Sequence, residues 1–460
     1  MNLNSVKSVY FIGAGGIGMS ALIRYFLANG KQVAGYDRTS SELTNKLISE
    51  GAEIHYEDDV TLIPDSFQNS ANTLVVYTPA IPDSHSELNY FRANGYNLLK
   101  RSQVLGLITD QLKGLCIAGT HGKTTTSSML AHILKQSHLD CNAFLGGILK
   151  NYDSNLLLSS VSDLVVVEAD EFDRSFHWLH PYMAVITAVD PDHLDIYGTA
   201  EAYYESFEKF ISLIRPNGVL LINKKVSLEL DLQENVKVYT YSAEKEGDFH
   251  AENIRIGNGT VFFDFVTPET VIKDIELGVP VKVNIENSVA AMAIAMLNGA
   301  TPEEVRNAIK TFAGAHRRFE VHLKRKDVVL IDDYAHHPAE LKASIESVRA
   351  LYKGRHITGI FQPHLYSRTR DFAADFAASL SLLDELILLD IYPAREEPIP
   401  GVSSDIIFDK VTVDNKRMIK KGELLDLISK EIQQLDVVLM LGAGDIDRMV
   451  EPVKEILERK

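Results

Sequence analysis

The stretch that decides the fold is Leu115-Cys116-Ile117-Ala118-Gly119-Thr120-His121-Gly122-Lys123-Thr124-Thr125-Thr126. Its apolar opening predicts a buried strand, its glycines a turn, and the residues from Lys123 onward the start of a helix. This order is typical of a phosphate-binding loop, because backbone N–H groups and the positive end of the helix point at one place. Lys123 adds a mobile cation for terminal phosphates, and Thr124 is suited to Mg²⁺. The generic pattern has a further glycine where this chain has Ile117, so the loop is an irregular version.

A second glycine-rich loop lies near the start of the chain. Gly13-Ala14-Gly15-Gly16-Ile17-Gly18-Met19-Ser20 follows the apolar strand predicted at Val6–Ile12, and a second strand, Gln32–Tyr36, ends at Asp37. Glycines for close approach to a diphosphate, followed by an acid for a ribose hydroxyl, form a dinucleotide fingerprint. The residues alone leave open whether the ligand is a nicotinamide cofactor or another diphosphate.

Acidic residues follow the next predicted strands. Leu164–Val167 leads into Glu168, which we expect to hold a metal ion, because a carboxylate at the end of a parallel strand lies at the ligand-binding edge of the sheet. For Asp170, Glu171 and Asp173 we expect a solvated acidic turn. The strand predicted at Ala184–Val189 delivers His193, for which a structural and a ligand-binding role are both open.

The remaining chain predicts further α/β structure. Residues 218–280 alternate short β-like runs with polar turns and predict an antiparallel extension, and helices are expected at Ser288–Leu297 and Pro302–Thr311. From Val328, strands again lead into polar loops, which predicts a third α/β domain. The fold class is therefore α/β with three domains at 1–107, 108–314 and 315–460, of which the first and third are Rossmann-like and the central one resembles a P-loop ATPase.

Composition limits the classes of function. A chain of 460 residues with 45% hydrophobic residues supports several globular cores. A net charge of −17 argues against nucleic acid or an anionic membrane as a general partner. The two cysteines give no disulfide framework, and no apolar run is long enough to span a bilayer, so we expect a cytoplasmic protein.

Seven motifs jointly carry a resemblance that spans the chain. They are Gly13–Ser20, Gly119–Thr126, Glu168–Phe176, Asp190–Gly198, Arg317-Arg318-Phe319-Glu320, Asp332–Pro338 and Phe361–Thr369. In order and spacing they resemble the Mur ligases, whose own phosphate loop reads Gly-Thr-x-Gly-Lys-Thr-Thr. The resemblance implies ATP-driven formation of an amide between UDP-N-acetylmuramate and L-alanine through an acyl phosphate, with Mg²⁺ and with either a monomeric or a homodimeric enzyme.

The resemblance also assigns residues to ligands. It implies catalytic roles for Lys123, His193 and Arg368, and metal ligation by Thr124, Glu168 and His193. It assigns ATP to Gly119, Thr120, His121, Gly122, Lys123, Thr124, Thr125, Asn284, Asn287, Asp333 and Arg318 or its neighbour Arg317. The first domain then holds the UDP-sugar through Gly13, Gly15, Gly16, Gly18, Met19, Ser20 and Asp37, and the third holds the amino acid through Tyr334, His364 and Arg368.

Two positions depart from the pattern that relatives often show. Three other interpretations of the function also remain open. Val283 stands where many relatives have His, and Leu365 where they often have Arg. A nicotinamide oxidoreductase would use the first glycine loop but leaves Lys123 unexplained, and a regulatory nucleotide-binding protein leaves the polar loops of the third domain unexplained. A related ligase that attaches a recycled peptide to the same sugar nucleotide is the nearest enzymatic alternative.

Overall fold

The computed structural model describes residues 3–78, 81–191, 194–257, 259–394 and 396–460. The chain forms two compact units. The first unit comprises Met1–Glu252, Phe265–Ile272 and Glu286–Ile309, and the second comprises Asn253–Asp264, Lys273–Ile285 and Lys310–Lys460. No described helix combines the length and apolarity needed to cross a membrane.

The first unit begins with a five-stranded parallel sheet in the order β3-β2-β1-β4-β5. Its strands are β1 Ser8–Ile12, β2 Gln32–Tyr36, β3 Glu53–His55, β4 Thr73–Tyr77 and β5 Asn97–Lys100, and its helices are α1 Ile17–Ala28, α2 Glu42–Ser49, α3 Ser86–Ala93 and α4 Arg101–Asp110. The strand order reverses beside β1, which places the glycine loop after β1 at the crevice where such sheets bind ligands.

One face of this sheet contains a buried polar cluster. The hydroxyl of Tyr10 donates to Glu87 Oε2 at 2.8 Å and lies 2.7 Å from His55 Nε2. Glu87 is fully buried, and burial raises the pKa of its carboxyl to about 7.

The second sheet has ten strands in the order β15-β14-β13-β12-β11-β10-β6-β9-β7-β8. The strands are β6 Lys113–Ala118, β7 Asn142–Leu149, β8 Ser154–Leu157, β9 Leu164–Glu168, β10 Met183–Ile186, β11 Val219–Asn223, β12 Lys237–Ser242, β13 Phe249–Gly257, β14 Thr260–Val266 and β15 Val271–Glu276. The helices are α5 Lys123–Gln136, α6 Leu194–Tyr197, α7 Ala200–Ser212, α8 Val283–Leu297 and α9 Pro302–Thr311. β6 lies between β9 and β10, so the loops after these three strands converge at one edge.

Two predictions for this region were wrong. β11 and β12 pair parallel with their neighbours and continue the central sheet, so the extension predicted from residue 218 is not antiparallel throughout. The register of strand pairing depends on partners distant in sequence, which alternation of apolar residues does not reveal. Helix α8 begins at Val283, which places Asn284 and Asn287 in its first turns and not in a loop before it.

The second unit contains a six-stranded sheet in the order β16-β17-β21-β18-β19-β20, in which β16 is antiparallel to β17 and the other pairs are parallel. Its strands are β16 Glu320–Lys324, β17 Val329–Asp333, β18 Ile357–Phe361, β19 Glu385–Leu388, β20 Asn415–Met418 and β21 Val437–Leu441. Its helices are α10 Pro338–Leu351, α11 Tyr366–Asp371, α12 Ala373–Leu380, α13 Asp405–Phe408, α14 Leu424–Glu431 and α15 Val450–Leu457. The polar loops after β17, β18 and β21 therefore meet at one edge of this sheet.

Candidate functional site

The phosphate loop takes its shape from two glycines with positive φ. Gly119 has φ +138°, and a Cβ there would lie 2.0 Å from Thr187 Oγ1. Gly122 has φ +82° and precedes α5, so the loop turns into the helix at a position that disfavours any side chain. Ile117 is fully buried within β6, which explains why the generic first glycine is absent: that position belongs to the strand.

Lys123 is held by a carboxylate that the sequence analysis assigned to solvent. Its Nζ lies 2.8 Å from Glu171 Oε1 and donates to the carbonyl of Gly119 at 2.6 Å. Glu171 is only 2% exposed, so the prediction of a solvated turn was wrong for this residue. Burial raises the pKa of Glu171, while the ammonium of Lys123 acts in the opposite direction.

The candidate metal ligands Thr124 and Glu168 are adjacent. The hydroxyl of Thr124 donates to Glu168 Oε1 at 2.9 Å, and the backbone N–H of Gly146 donates to Glu168 Oε2 at 3.0 Å. Hydroxyl and carboxylate oxygens are the ligands that Mg²⁺ prefers, and Mg²⁺ keeps positions for water and phosphate oxygens. The two side chains fit that ion, whereas the third candidate ligand, His193, lies outside the described residues.

The other acids of this loop form ion pairs. Asp170 Oδ2 lies 3.0 Å from Arg101 Nη2, and Asp173 Oδ2 lies 2.8 Å from Lys100 Nζ. Both acids keep about a third of their side-chain surface exposed, so the prediction of a solvated turn is not contradicted for these two residues. Their partners, Lys100 and Arg101, lie at the junction of β5 and α4. These residues are distant in sequence, so the local sequence pattern does not predict the ion pairs.

The remaining candidates for ATP binding in the first unit surround the same loop. Thr120 donates through its hydroxyl to the carbonyl of Asp190 at 2.8 Å, and the half-exposed ring of His121 lies 3.8 Å from Asp190 Oδ2. Thr125 occupies the first turn of α5 and is half-buried. The hydroxyl of Thr126 donates to Asn287 Oδ1 at 3.3 Å, which places that amide at the base of the phosphate loop.

The first glycine loop is tied to the carboxylate predicted to contact ribose. The N–H of Gly15 donates to Asp37 Oδ2 at 2.6 Å, so Asp37 fixes the shape of the loop. Gly13 has φ +92°, and Gly16 stands immediately before α1, where Gly18 follows in the first turn. The backbone of this loop and the N-terminus of α1 thus lie together, as a diphosphate site requires.

Met19 and Ser20 lie in the first turn of α1, and a Cβ on Gly16 would lie 3.7 Å from the Cγ of Met19. Both are buried, and both backbone N–H groups donate to the carbonyl of Gly16. The hydroxyl of Ser20 donates to the carbonyl of Ile17 at 2.7 Å and accepts from Asn155 Nδ2 at 3.0 Å. The hydroxyl of Ser20 thus joins α1 to β8, and the binding of the sugar nucleotide by Met19 and Ser20 stays a prediction.

A cavity of about 140 Å³ lies beside the first turn of α1 within the first unit. Gly18 and the adjoining face of α1 form one side of its lining, and Gly146 and Glu168 contribute to the other. The remaining polar lining consists of Arg101 and Asp170. The cavity therefore extends from the first turn of α1 to Glu168, whose carboxylate accepts from the hydroxyl of Thr124.

In the second unit, the two candidate arginines differ sharply. Arg317 Nη2 donates to the carbonyl of Gly442 at 2.8 Å, and its Nη1 lies 3.1 Å from Asp447 Oδ2. The guanidinium of Arg318 lies 5.2 Å from the ring centre of Tyr334 and makes no ion pair with the residues that the structure describes. Arg317 therefore holds neighbouring loops together, and the phosphate contact of Arg318 stays a prediction.

Asn284 and Asp333 are both engaged with the backbone. The side-chain amide of Asn284 donates to the carbonyl of Val279 at 3.2 Å. Asp333 Oδ1 accepts from the N–H of Phe319 at 3.3 Å, and burial raises the pKa of this carboxyl.

The candidates for the amino-acid site gather around His336. Its ring lies 5.2 Å from that of Tyr334 and 6.0 Å from that of His364. Burial lowers the pKa of His336, and the positive charges of Arg368 and Arg318 lower it further, whereas Glu340 opposes them. His336 is thus a member of this group that the sequence analysis quoted only within a motif.

Leu365 occupies a strained position beside this group. It has φ +70°, which is unusual for a residue other than glycine and disfavoured by its side chain. Its N–H donates to the carbonyl of Tyr392 at 3.0 Å, and α11, which carries Arg368, begins immediately afterwards. The strained turn fixes where this helix starts and so fixes the position of Arg368.

Sequence reasoning missed four residues of these sites: Gly146, Glu171, Arg101 and His336. A signal was present only for His336, which stands beside the candidate Tyr334, and for Glu171, which lies three residues after Glu168. Nothing local distinguishes Gly146 or Arg101, because their positions depend on the packing of β7 and α4 against other elements.

Three family models match consecutive parts of the chain. They are the Mur ligase family catalytic domain over residues 8–113, the Mur ligase middle domain over 117–295, and the Mur ligase glutamate ligase domain over 317–444. Together they cover nearly all of the sequence and agree with an α/β fold of three domains.

Similar proteins span the same length. A UDP-N-acetylmuramate–L-alanine ligase of Parabacteroides distasonis is 70% identical over 99% of this chain and 98% of its own length, and one of Phocaeicola vulgatus is 62% identical over the whole of both chains. The crystal structure of a UDP-N-acetylmuramate–alanine ligase of Thermotoga maritima matches with a TM-score of 0.80 at 27% identity, covering 98% of each chain. The chain belongs to the Mur ligase family.

Proposed function

We propose that this protein joins L-alanine to UDP-N-acetylmuramate at the expense of ATP, giving UDP-N-acetylmuramoyl-L-alanine, ADP and phosphate. The reaction makes a precursor of peptidoglycan. Full-length relatives that are named for this activity, at identities of up to 70%, support the substrates. We also propose domain boundaries near residues 107 and 314, which separate the UDP-sugar, ATP and amino-acid regions.

One observation carries the proposal: the cavity that joins Gly18 to Glu168. A sugar nucleotide whose diphosphate lies on the first glycine loop would extend its sugar toward the phosphate loop. A carboxylate carried by that sugar would then meet the terminal phosphate of ATP. An oxidoreductase has no use for this second phosphate site.

The residues of the phosphate loop would act by neutralising charge. A carboxylate oxygen attacks the γ-phosphorus, the bond to the ADP oxygen breaks, and an acyl phosphate results; the amine of L-alanine then attacks its carbonyl, loses a proton, and phosphate leaves. Lys123 would contact the terminal phosphates, and the loop N–H groups would hold the others. Mg²⁺, when bound by Thr124 and Glu168, would supply further positive charge at the phosphates.

The group around His336 would receive L-alanine. Arg368 offers a planar fork that matches a carboxylate, and Tyr334 and His364 lie within the same group. Arg318 would contact a phosphate of ATP, because Arg317 is committed to loop carbonyls and to Asp447.

Release of phosphate from ATP tests the function. With UDP-N-acetylmuramate and L-alanine both present, we expect release to depend on each of them and on Mg²⁺. Replacing L-alanine by a murein tripeptide tests the related peptide ligase, and turnover with the peptide alone would assign the protein to that activity. Calorimetric titration with NAD(H) tests the alternative of a nicotinamide oxidoreductase. Tight binding of NAD(H) without binding of the sugar nucleotide would overturn the proposal.

A further inference from the structure

The ammonium of Lys123 is fully engaged by neighbouring oxygens. It donates to Glu171 Oε1 at 2.8 Å and lies 2.7 Å from Oε2 of the same carboxylate. It also donates to the carbonyl of Gly119 at 2.6 Å and to that of Thr120 at 3.4 Å. An ammonium has three N–H donors, so these acceptors occupy all of them. A phosphate oxygen can therefore become a partner of Lys123 only by replacing one of these acceptors.

Glu171 and a triphosphate compete for the same positive charge. Mg²⁺, when bound by Thr124 and Glu168, neutralises only part of the charge of a triphosphate, so the ligand reaches Lys123 as an anion. The two backbone carbonyls that accept from Lys123 carry no net charge. Repulsion by the phosphates therefore acts on the carboxylate of Glu171, which is the acceptor that loses its share of the ammonium.

Burial determines what happens to the released carboxylate. Glu171 is only 2% exposed, so water cannot replace the ammonium as its partner. A buried carboxylate without a cation is costly, and such a group becomes neutral by taking up a proton. Burial already raises the pKa of Glu171, and the ammonium of Lys123 opposes that effect. When the ammonium turns to the phosphates, this opposition weakens and the pKa of Glu171 rises further.

The other charged and titratable groups around Glu171 do not replace Lys123. Asp170 is itself acidic and raises the pKa of Glu171. The hydroxyl of Tyr197 and the N–H of Arg174 donate to the backbone carbonyl of Glu171, at 2.5 Å and 2.9 Å, and not to its carboxylate. The guanidinium of Arg174 lies over the ring of Tyr197, 4.7 Å from its centre. Within the described part of the chain, Lys123 is thus the cation that neutralises this carboxylate.

We propose that Glu171 is a positioning residue that holds Lys123 as an ion pair, and that Glu171 takes up a proton from solvent when the ammonium contacts the phosphates of ATP. The inference rests on the proposed function, in which ATP binds at the phosphate loop. Because the ATP complex then carries more protons than the free protein, binding of MgATP strengthens as pH falls. This dependence is confined to the pH range between the pKa of Glu171 in the ion pair and its higher pKa after release.

Calorimetric titration with MgATP tests the exchange. The observed heat in two buffers of different ionisation enthalpy gives the number of protons taken up per bound nucleotide. For the wild type we expect up to about one proton, and an affinity that weakens by up to about 10-fold per pH unit within the range. Glu171→Gln keeps the size of the side chain but cannot titrate, so its proton number should be lower by the same amount. Protons that the nucleotide itself exchanges are common to both proteins and cancel in the comparison.

The matched control is Glu50→Gln, which removes a carboxylate that lies 2.7 Å from Arg24 in the same unit. It should keep the proton number and the pH dependence of the wild type. Equal proton numbers in the wild type and in Glu171→Gln would overturn the inference. A wild-type affinity that stays constant from about pH 6 to about pH 9 would overturn it as well, even if Glu171→Gln does not fold. Absence of MgATP binding to the wild type would overturn the proposed function together with the inference, whereas binding without proton uptake refutes the inference alone.

Discussion

Gly146→Ala should displace the candidate metal ligand without unfolding the protein. A Cβ at Gly146 would lie 2.2 Å from Glu168 Oε2 and 2.5 Å from its Cδ. An ordinary contact requires about 3.5 Å, so the carboxylate must move by roughly 1 Å. It would also lose the geometry of its hydrogen bond from the Gly146 N–H.

The effect should appear in catalysis and not in stability. A misplacement of about 1 Å in a group that acts on the reacting atoms can cost on the order of 10²-fold in rate, and we expect that loss in kcat together with a raised Mg²⁺ requirement. The new methyl group meets the end of a flexible side chain, so the free energy of unfolding should change by less than about 1 kcal/mol. Phosphate release measured across a Mg²⁺ series checks the first expectation, and thermal unfolding checks the second.

Gly422→Ala is the matched control, because a Cβ there would meet nothing within 4 Å. It should retain the wild-type rate and Mg²⁺ dependence. If Gly146→Ala did the same, Glu168 would not be placed by Gly146 for a role in the reaction, and the assignment of the metal site would be refuted.

Three further predictions follow from the same geometry. Lys123→Ala should lower phosphate release by about 10²-fold or more and leave the affinity for UDP-N-acetylmuramate nearly unchanged; near-normal turnover at saturating Mg²⁺ would contradict this. Burial raises the pKa of Glu87 from 4.5 to about 7. Between these values the native carboxyl keeps a proton that the unfolded chain releases. The contribution of this proton to the free energy of unfolding, on the order of 3 kcal/mol, is therefore present below pH 4.5 and is lost as pH rises through 7. Glu87→Gln should therefore flatten the dependence of the unfolding temperature on pH across that window, and an unaltered slope would exclude Glu87 as its source. Arg368→Lys should raise the KM for L-alanine much more than that for ATP, and adding Leu365→Arg should partly restore it; steady-state kinetics that show an unchanged alanine constant in Arg368→Lys would remove Arg368 from the amino-acid site.

Local patterns predicted elements well where one segment carries its own signal. The strand Gln32–Tyr36 and the helix Pro302–Thr311 have the predicted bounds. Each is an apolar or amphipathic run closed by a turn or a cap, so short-range preferences suffice. The predictions failed for β11 and β12, whose direction depends on neighbouring strands.

The candidate site divides in the same way. Lys123, Thr124 and Glu168 could be proposed from the sequence because a phosphate loop and a strand-end acid are each contiguous segments. The partners of Asp170 and Asp173 could not be predicted, because Arg101 and Lys100 lie about 70 residues away from these acids in the sequence. Ser20 likewise accepts a hydrogen bond from Asn155, 135 residues away, which the glycine motif does not reveal.

The sequence by itself determined the glycine turns, the cation and hydroxyl of the phosphate loop, and the order of three α/β domains. These depend on the residues' own dihedral preferences and on apolar periodicity, both of which are local. The tertiary structure alone decided that Glu171 holds Lys123, that Gly146 leaves room for Glu168, and that Arg101 pairs with Asp170. Each of these is a contact between segments distant in sequence, and burial and charge acquire their effect only after packing has excluded water.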